Sequence, residues 1–162
     1  MPTSSWPRPG PTNWTNRVRS STFEVQQMRI NRFEDIQAWQ EARALCKKVY
    51  SLSRSGRFAK DFALRDQTRR AVASIMANIA EGFDSRSNPE FIQFLYYSLR
   101  SASELQSHLY IALDQDYVTR LRFMEVYEQA GKIKGMVFRF IEYLRSHQKP
   151  RTSNLERSQV SR

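Results

Sequence analysis

The sequence predicts an all-α protein, an antiparallel up-down-up-down four-helix bundle with disordered basic tails. Apolar residues recur at helical spacings of three and four in four stretches, short polar segments separate the stretches, and no stretch has the alternation of a β-strand. Four long helices with short connections pack as antiparallel neighbours. We therefore expect residues 31–147 to form the bundle. Residues 1–30 and 148–162 are rich in proline, serine or other polar residues without an apolar period, and are expected to be disordered.

The first predicted helix runs from about Glu34 to Arg54. The residues of its apolar face are Ile36, Trp39, Ala42, Leu45, Cys46, Val49 and Leu52. Asn31 and Glu34 have the spacing of an N-terminal capping pair, and the serine-rich segment that closes with Gly56 is expected to end the helix.

The second predicted helix runs from about Lys60 to Glu81, and Gly82 is expected at a left-handed C-cap. Most of its circumference is apolar, which is typical of a helix inside a bundle or between subunits. Polar residues at spacings of three and four form a single line on it, here called the polar stripe. The polar stripe consists of Gln67, Arg70, Ser74, Asn78 and Glu81.

The third predicted helix begins at a capping box formed by Ser87 and Glu90 and ends near Leu113. If it packs antiparallel to the second helix, its polar residues Ser101 and Glu104 approach the polar stripe. Arg70 is the preferred partner of Glu104, because a guanidinium can form two parallel hydrogen bonds with a carboxylate. The polar residues then form either a satisfied seam that sets helix register or subunit packing, or a groove for a ligand or RNA.

The fourth predicted helix spans about Val118 to Ser146. Its apolar residues alternate spacings of three and four over three heptads, as in a coiled-coil seam. Gly131 and Gly135 each weaken this helix by up to about 1 kcal/mol relative to alanine. One interpretation is that they allow a neighbouring element to approach closely.

The net charge of +10 lies mainly outside the predicted bundle. Residues 1–32 carry five arginines against one glutamate, and residues 148–162 carry four basic residues against one acidic residue. The densest basic region between the tails consists of Arg43, Lys47, Lys48, Arg54, Arg57, Lys60, Arg65 and Arg69. This region predicts non-specific phosphate contacts with RNA or DNA, against the alternative that each residue belongs to an ordinary solvated helix flank.

The residue types needed for catalysis or metal binding are sparse. His108 and His147 are the only histidines, and Glu104 and His108 are four residues apart rather than the three of a di-metal Glu-x-x-His pair. No Gly-x-Ser-x-Gly turn or glycine-rich phosphate loop occurs. We therefore expect a protein that is not an enzyme and has no cofactor or metal.

Several features predict a cytoplasmic protein without a membrane segment. No apolar run reaches 18 residues, and the N-terminal residues lack the apolar stretch of a secretory signal. Cys46, the only cysteine, excludes an internal disulfide and lies on a predicted core-facing position. Met28 lies five residues before Phe33, so residues 1–27 are not expected to contribute to the bundle.

A set of short motifs accompanies the helices. The motifs are Phe33-Glu34-Asp35-Ile36, Trp39-Gln40, Arg69-Arg70-Ala71, Ser74-Ile75, Asn78-Ile79-Ala80-Glu81-Gly82, Glu90-Phe91, Phe94-Leu95, Glu104-Leu105 and Tyr117. In this combination, residues 33–146 resemble the four-helix-bundle family named for the 23S ribosomal RNA intervening-sequence protein. Met76, Ala77 and Arg100 depart from the proline, serine and glycine that are usual in the family.

The resemblance implies a cytosolic, non-enzymatic bundle that assembles as a homopentamer. The chain is also distantly similar to the accessory proteins of diversity-generating retroelements, which work beside a reverse transcriptase. Two functions follow as hypotheses. One is an oligomer that binds RNA or DNA through its basic surface, and the other is a protein-interaction adaptor for a partner enzyme such as a reverse transcriptase, with no direct nucleic-acid role.

Overall fold

A computed structural model describes residues 30–147. A 3-10 turn at Phe33–Asp35 precedes five helices. The helices are α1 (Gln37–Leu52), α2 (Gly56–Lys60), α3 (Phe62–Phe83), α4 (Asn88–Asp114) and α5 (Arg120–Ser146). Within these residues the protein is helical without a strand, which confirms the predicted fold class. The predicted disorder of residues 1–30 and 148–162 concerns a part of the chain that, apart from Ile30, lies outside the described residues.

The four long helices form an antiparallel ring in which α5 returns to pack beside α1. The direction is visible in two ion pairs. Glu41 of α1 meets Lys132 of α5 at 2.9 Å, and Lys48, two turns later in α1, meets Glu125, two turns earlier in α5, at 2.9 Å. The up-down-up-down order expected from the short connections is therefore present.

Each long helix contributes its apolar line to one common core. The largest fully buried aliphatic side chains are Leu45, Val49, Val72, Ile75, Ile79, Leu95, Leu105, Leu109, Val126, Ile133 and Ile141. Each such side chain contributes about 1.5–3 kcal/mol through burial, so the core dominates the stability of the fold. Among the helices between residues 30 and 147, none is both long and apolar enough to cross a membrane.

The short helix α2 closes one end of the bundle, here called the α2 end. Gly56 opens α2 in the left-handed region at φ +68°, where glycine avoids the strain of a side chain. This turn directs Phe58 inward, where it is 1% exposed and stacks on Tyr117 from the α4–α5 loop with the ring centroids 5.8 Å apart. The sequence predicts only a connecting loop between the first two helices here, so α2 is not predicted.

Both predicted N-terminal caps differ from the structure, the second of them only in part. Asn31 and Glu34 do not pair within the described residues. The Asp35 carboxylate instead accepts a hydrogen bond from the Asn31 backbone N–H at 3.2 Å, which is the main reason that the pKa of Asp35 is lowered. At α4, the Ser87 hydroxyl accepts from the Glu90 N–H at 3.4 Å as expected. The Glu90 carboxylate accepts from the Arg86 backbone N–H at 3.2 Å instead of the Ser87 N–H, so the second hydrogen bond of the predicted capping box differs.

The predicted left-handed C-cap at Gly82 is wrong. Gly82 lies inside α3, which continues to Phe83, and it is buried without a positive φ. A Cβ at this position would lie 2.5 Å from Cδ2 of Phe91 and 2.9 Å from Cβ of Phe94. The glycine is required because α3 and α4 approach each other closely here.

The opposite holds for the glycines of α5. A Cβ at Gly135 would meet nothing within 4 Å, and one at Gly131 would lie 3.8 Å from the Gln106 side chain. Both positions are exposed. Close approach of a neighbour within the chain therefore does not explain either glycine.

Candidate nucleic-acid interface

The eight basic residues identified in the sequence lie on α1, α2, the α1–α2 loop and the first half of α3. Because α2 connects α1 to α3 across the α2 end, the structure brings these elements together, and the eight residues are here called the basic face. Six of them are exposed, whereas Arg65 and Arg69 are partly buried. The basic face therefore contains side chains that are open to solvent and two arginines that contact other parts of the fold.

Arg69 joins α3 to the end of α1. Its Nε donates to the Ser53 hydroxyl at 2.8 Å and its Nη2 donates to the Ser53 carbonyl at 3.0 Å. Ser53 is fully buried, so these bonds satisfy polar groups that would otherwise destabilise the fold. The guanidinium carbon also lies 4.9 Å from the centroid of the Tyr50 ring.

Arg65, one turn earlier in α3, joins that helix to α2. Its Nη1 donates to the Ala59 carbonyl at 3.1 Å, and its guanidinium carbon lies 4.8 Å from the centroid of the Phe62 ring. Its Nε bonds the Asp66 carboxylate at 2.8 Å, and this hydrogen bond lowers the pKa of Asp66. Arg65 and Arg69 therefore hold α2 and the end of α1 against α3, and so help to set the positions of the other charges of the basic face.

Lys48 extends the basic face onto α5. Its Nζ lies 2.9 Å from Glu125, which also accepts from Arg122 at 2.9 Å. Hydrogen bonds from Lys48 and then from Arg122 lower the pKa of Glu125. Arg122 was not among the residues identified from the sequence, although an antiparallel bundle necessarily places the start of α5 beside the end of α1.

The remaining five residues of the basic face make no ion pair within residues 30–147. Arg43 lies 5.9 Å from the Trp39 ring centroid, and Arg57 lies 5.5 Å from that of Tyr117. The charged groups of the other three make no side-chain hydrogen bond there either. These three are Lys47, Arg54 and Lys60, and all are exposed. They are the cations of the basic face that are most available to an anionic ligand.

Two of the five residues of the polar stripe, Ser74 and Asn78, belong to a hydrogen-bonded seam that connects α3 to α4. The Ser101 hydroxyl donates to the Ser74 hydroxyl at 2.9 Å, and the Asn78 amide donates to the Ser74 carbonyl at 2.7 Å and hydroxyl at 3.0 Å. Ser98, on the same side of α4 as Ser101, donates to the Ile75 carbonyl at 3.1 Å. The small side chains allow the two helices to pack closely while their polar groups stay paired.

The other three residues of the polar stripe are exposed, and the expected buried pair of Arg70 with Glu104 is wrong. Neither residue takes part in an ion pair within the described part of the chain, and both are exposed, as are Gln67 and Glu81. The helices meet through the small residues between these positions, so the long charged side chains extend into water, where they retain their hydration. Their role in an oligomer interface remains a prediction.

The rest of the described chain offers little for metal chemistry. In residues 30–147, no three histidine, cysteine, aspartate or glutamate side chains converge as ligands. An open groove of about 850 Å³ lies at the end of the bundle opposite α2, beside Ile30 and the last turns of α5. Its lining includes Phe83, Phe91 and Arg139, and none of the eight residues of the basic face.

Comparisons with known proteins agree with the fold. A profile of the 23S rRNA-intervening sequence protein family matches residues 34–139. A crystal structure of a protein of unknown function from the S23 ribosomal protein family of Bacteroides thetaiotaomicron superimposes with a TM-score of 0.61 at 22% identity, over 65% of this chain and 95% of that one. No significant match occurs among curated proteins. The profile covers α1, α3 and α4 and most of α5, and the chain belongs to the 23S rRNA-intervening sequence protein family.

Proposed function

We propose that this protein is a non-catalytic, self-associating helical bundle that binds RNA or DNA through its basic face without reading sequence. The observation that carries the proposal is the state of the charges at the α2 end. Asp66 and Glu125 are already paired with basic residues, whereas Lys47, Arg54 and Lys60 have no acidic partner within residues 30–147. Such unpaired cations attract phosphates, and binding is driven by counterion release.

Two further observations support the proposal. The family is named for an insertion in 23S ribosomal RNA, which is consistent with a polyanionic partner. The overall charge of +10 adds a long-range attraction for nucleic acid. In a homo-oligomer such as a pentamer, several copies of the basic face act together, and weak single contacts add up to strong binding.

A cytoplasmic, non-enzymatic role is part of the proposal. Cys46 is half-buried, and burial raises the pKa of its thiol, which disfavours the nucleophilic thiolate. A reduced, unreactive cysteine is compatible with the cytosol.

The test compares two triple variants that lose the same charge. Changing Lys47, Arg54 and Lys60 to glutamine removes the free cations of the basic face, and changing Arg86, Arg100 and Arg139 to glutamine removes three exposed charges elsewhere. Lys48 stays in place because it pairs with Glu125. For a labelled duplex, the basic-face variant should bind more weakly than the parent. Its plot of log affinity against log salt should flatten by about 2 to 3 units, since each lost phosphate contact removes about 0.7 to 0.9.

The control variant should bind almost like the parent. Equal weakening by both variants would mean that bulk charge, rather than the basic face, drives binding. Absence of binding by the parent at moderate salt would overturn the proposal in favour of a protein-interaction adaptor.

A further inference from the structure

The basic face contains a row of two arginine–aromatic pairs, Arg65 with Phe62 and Arg69 with Tyr50. Arg65 and Arg69 lie one turn apart on the same side of α3, about 6 Å along the helix axis. The guanidinium of Arg65 covers Phe62 at 4.8 Å, and that of Arg69 covers Tyr50 at 4.9 Å. Each of the two arginines therefore has an aromatic ring beside it at the α2 end.

The guanidinium groups of this row are held in place by hydrogen bonds to neighbouring segments. Arg65 is bonded to the Ala59 carbonyl, and Arg69 is bonded to the hydroxyl and carbonyl of Ser53. A ring that rests on a fixed guanidinium is itself restricted in orientation. The row is therefore ordered before any ligand arrives, which lowers the entropy lost on binding.

Phe62 and Tyr50 are both exposed, although a guanidinium lies over one side of each ring. Phe62 is 66% exposed and Tyr50 is 44% exposed. Six arginine–aromatic pairs occur between residues 30 and 147, and four of them involve arginines of the basic face. In the other two of these four, Trp39 and Tyr117 are partly buried against the core. Of these four aromatic residues, Phe62 and Tyr50 are the two that are exposed.

We propose that the basic face binds single-stranded nucleic acid, with unpaired bases stacking on Phe62 and Tyr50 while phosphates contact Lys47, Arg54 and Lys60. This inference rests on the proposed function and adds to it the strandedness of the ligand. An exposed aromatic ring accepts the face of any base, so stacking is tolerant of sequence. In a duplex the base faces are covered by their neighbours, and only unpaired nucleotides can reach the rings.

The experiment uses the full chain and four fluorescein-labelled probes of about 20 nucleotides in one mixed sequence. The probes are single-stranded RNA, the same RNA annealed to its complement, and the two DNA equivalents. The test variant changes Tyr50 and Phe62 to leucine. The control variant changes Phe138 and Tyr143 to leucine, since both rings are 52% exposed and lie on α5 towards the opposite end of the bundle. Thermal melting and light scattering check that neither variant alters stability or mass.

The parent should bind single strands more tightly than duplexes. The Tyr50 and Phe62 variant should lose at least about tenfold in single-strand affinity at every salt concentration, which is a modest estimate for two lost stacks. Its salt dependence and duplex affinity should stay unchanged, because no charge has been removed. Single-stranded RNA and single-stranded DNA should bind with similar affinity, because stacking and phosphate contacts do not involve the 2′-hydroxyl.

The inference is overturned if the leucine variant binds single strands like the parent, or if the Phe138 and Tyr143 control loses as much. Failure of the proposed function has a different signature. In that case, the glutamine changes at Lys47, Arg54 and Lys60 leave the affinity for all four probes unchanged.

Discussion

At the scale of single residues, packing between helices decides the role of Gly82. A glycine that follows a long apolar helix usually ends it, and the sequence offers no sign that the helix continues. In the structure the absence of a side chain lets α3 lie against Phe91 and Phe94 of α4. Gly135 is the opposite case, because its surroundings within the chain are open.

These two glycines provide a matched pair of substitutions. Gly82→Ala should lower the free energy of unfolding by about 1–3 kcal/mol, because overpacking against the backbone-proximal Cβ of Phe94 outweighs the gain in helix propensity. Gly135→Ala should raise the free energy of unfolding by about 0.5–1 kcal/mol through helix propensity alone. Urea denaturation measures both changes. A Gly82→Ala variant with the same free energy of unfolding as the parent would contradict the close approach of α3 and α4.

Side-chain length decides whether a residue of the polar stripe, or one facing it on α4, is hydrogen-bonded near the helix contact or exposed to water. Asn78 is short enough to bond Ser74 within α3, and Ser74 is short enough to accept a hydrogen bond from Ser101 of α4. The charged ends of Arg70 and Glu104 lie in water instead. The periodicity correctly groups the stripe on one side of α3, but it does not show how far each residue lies from the helix–helix contact.

At the scale of elements, two ion pairs connect α1 to α5 along their exposed flank. A hydrogen bond from Lys132 is the main cause that holds the pKa of Glu41 below its ordinary value of 4.5, and Lys48 does the same for Glu125. Both carboxylates are therefore ionised more readily in the folded protein than in the unfolded chain. Their contribution to stability is present above the unfolded pKa and is lost as the pH falls through the lower, folded pKa.

The melting temperature should therefore fall as the pH is lowered from about 5 to below 4.5. Glu41→Gln should reduce this dependence, because the variant has no carboxylate to protonate at that position. Glu128→Gln removes the same charge from an exposed position of α5 that forms no ion pair within residues 30–147. Thermal scans by circular dichroism across this pH range compare the two variants. Identical profiles for parent and Glu41→Gln would show that the α1–α5 pair does not contribute.

The α2 segment is the element that sequence periodicity cannot detect. Five residues are too few for a helical period, yet Phe58 closes the core against Tyr117. Its backbone also holds Arg65 through Ala59. The geometry of the basic face therefore depends on α2 as well as on the long helices that carry most of the charges.

At the scale of the whole molecule, the single chain leaves apolar surface in contact with water. Leu121 is 79% exposed, and Tyr110 and Ile111 are about half exposed. The three outward residues of the polar stripe are also exposed. These exposed apolar side chains are available for contact with further copies of the chain, as the proposed self-association requires.

Light scattering of the full chain at micromolar concentration should give a mass several times 19.1 kDa. The physical reason is the burial of this apolar surface between copies, which contributes roughly 25 cal/mol per Å². Repeating the measurement at high salt separates apolar association from charge-mediated clustering, since only the latter weakens with ionic strength. A mass of 19.1 kDa at all concentrations would contradict self-association.

The sequence by itself determined the helical class, the four long helices to within a few residues, their core-facing lines and the family. These properties depend on local periodicity and short motifs, which each segment carries without reference to the others. Tertiary structure alone decided the role of Gly82, the exposure of Arg70 and Glu104, the plug formed by Phe58, and the contacts that fix Arg65 and Arg69. These outcomes depend on distances between segments that are far apart in the chain, and a one-dimensional pattern does not contain such distances.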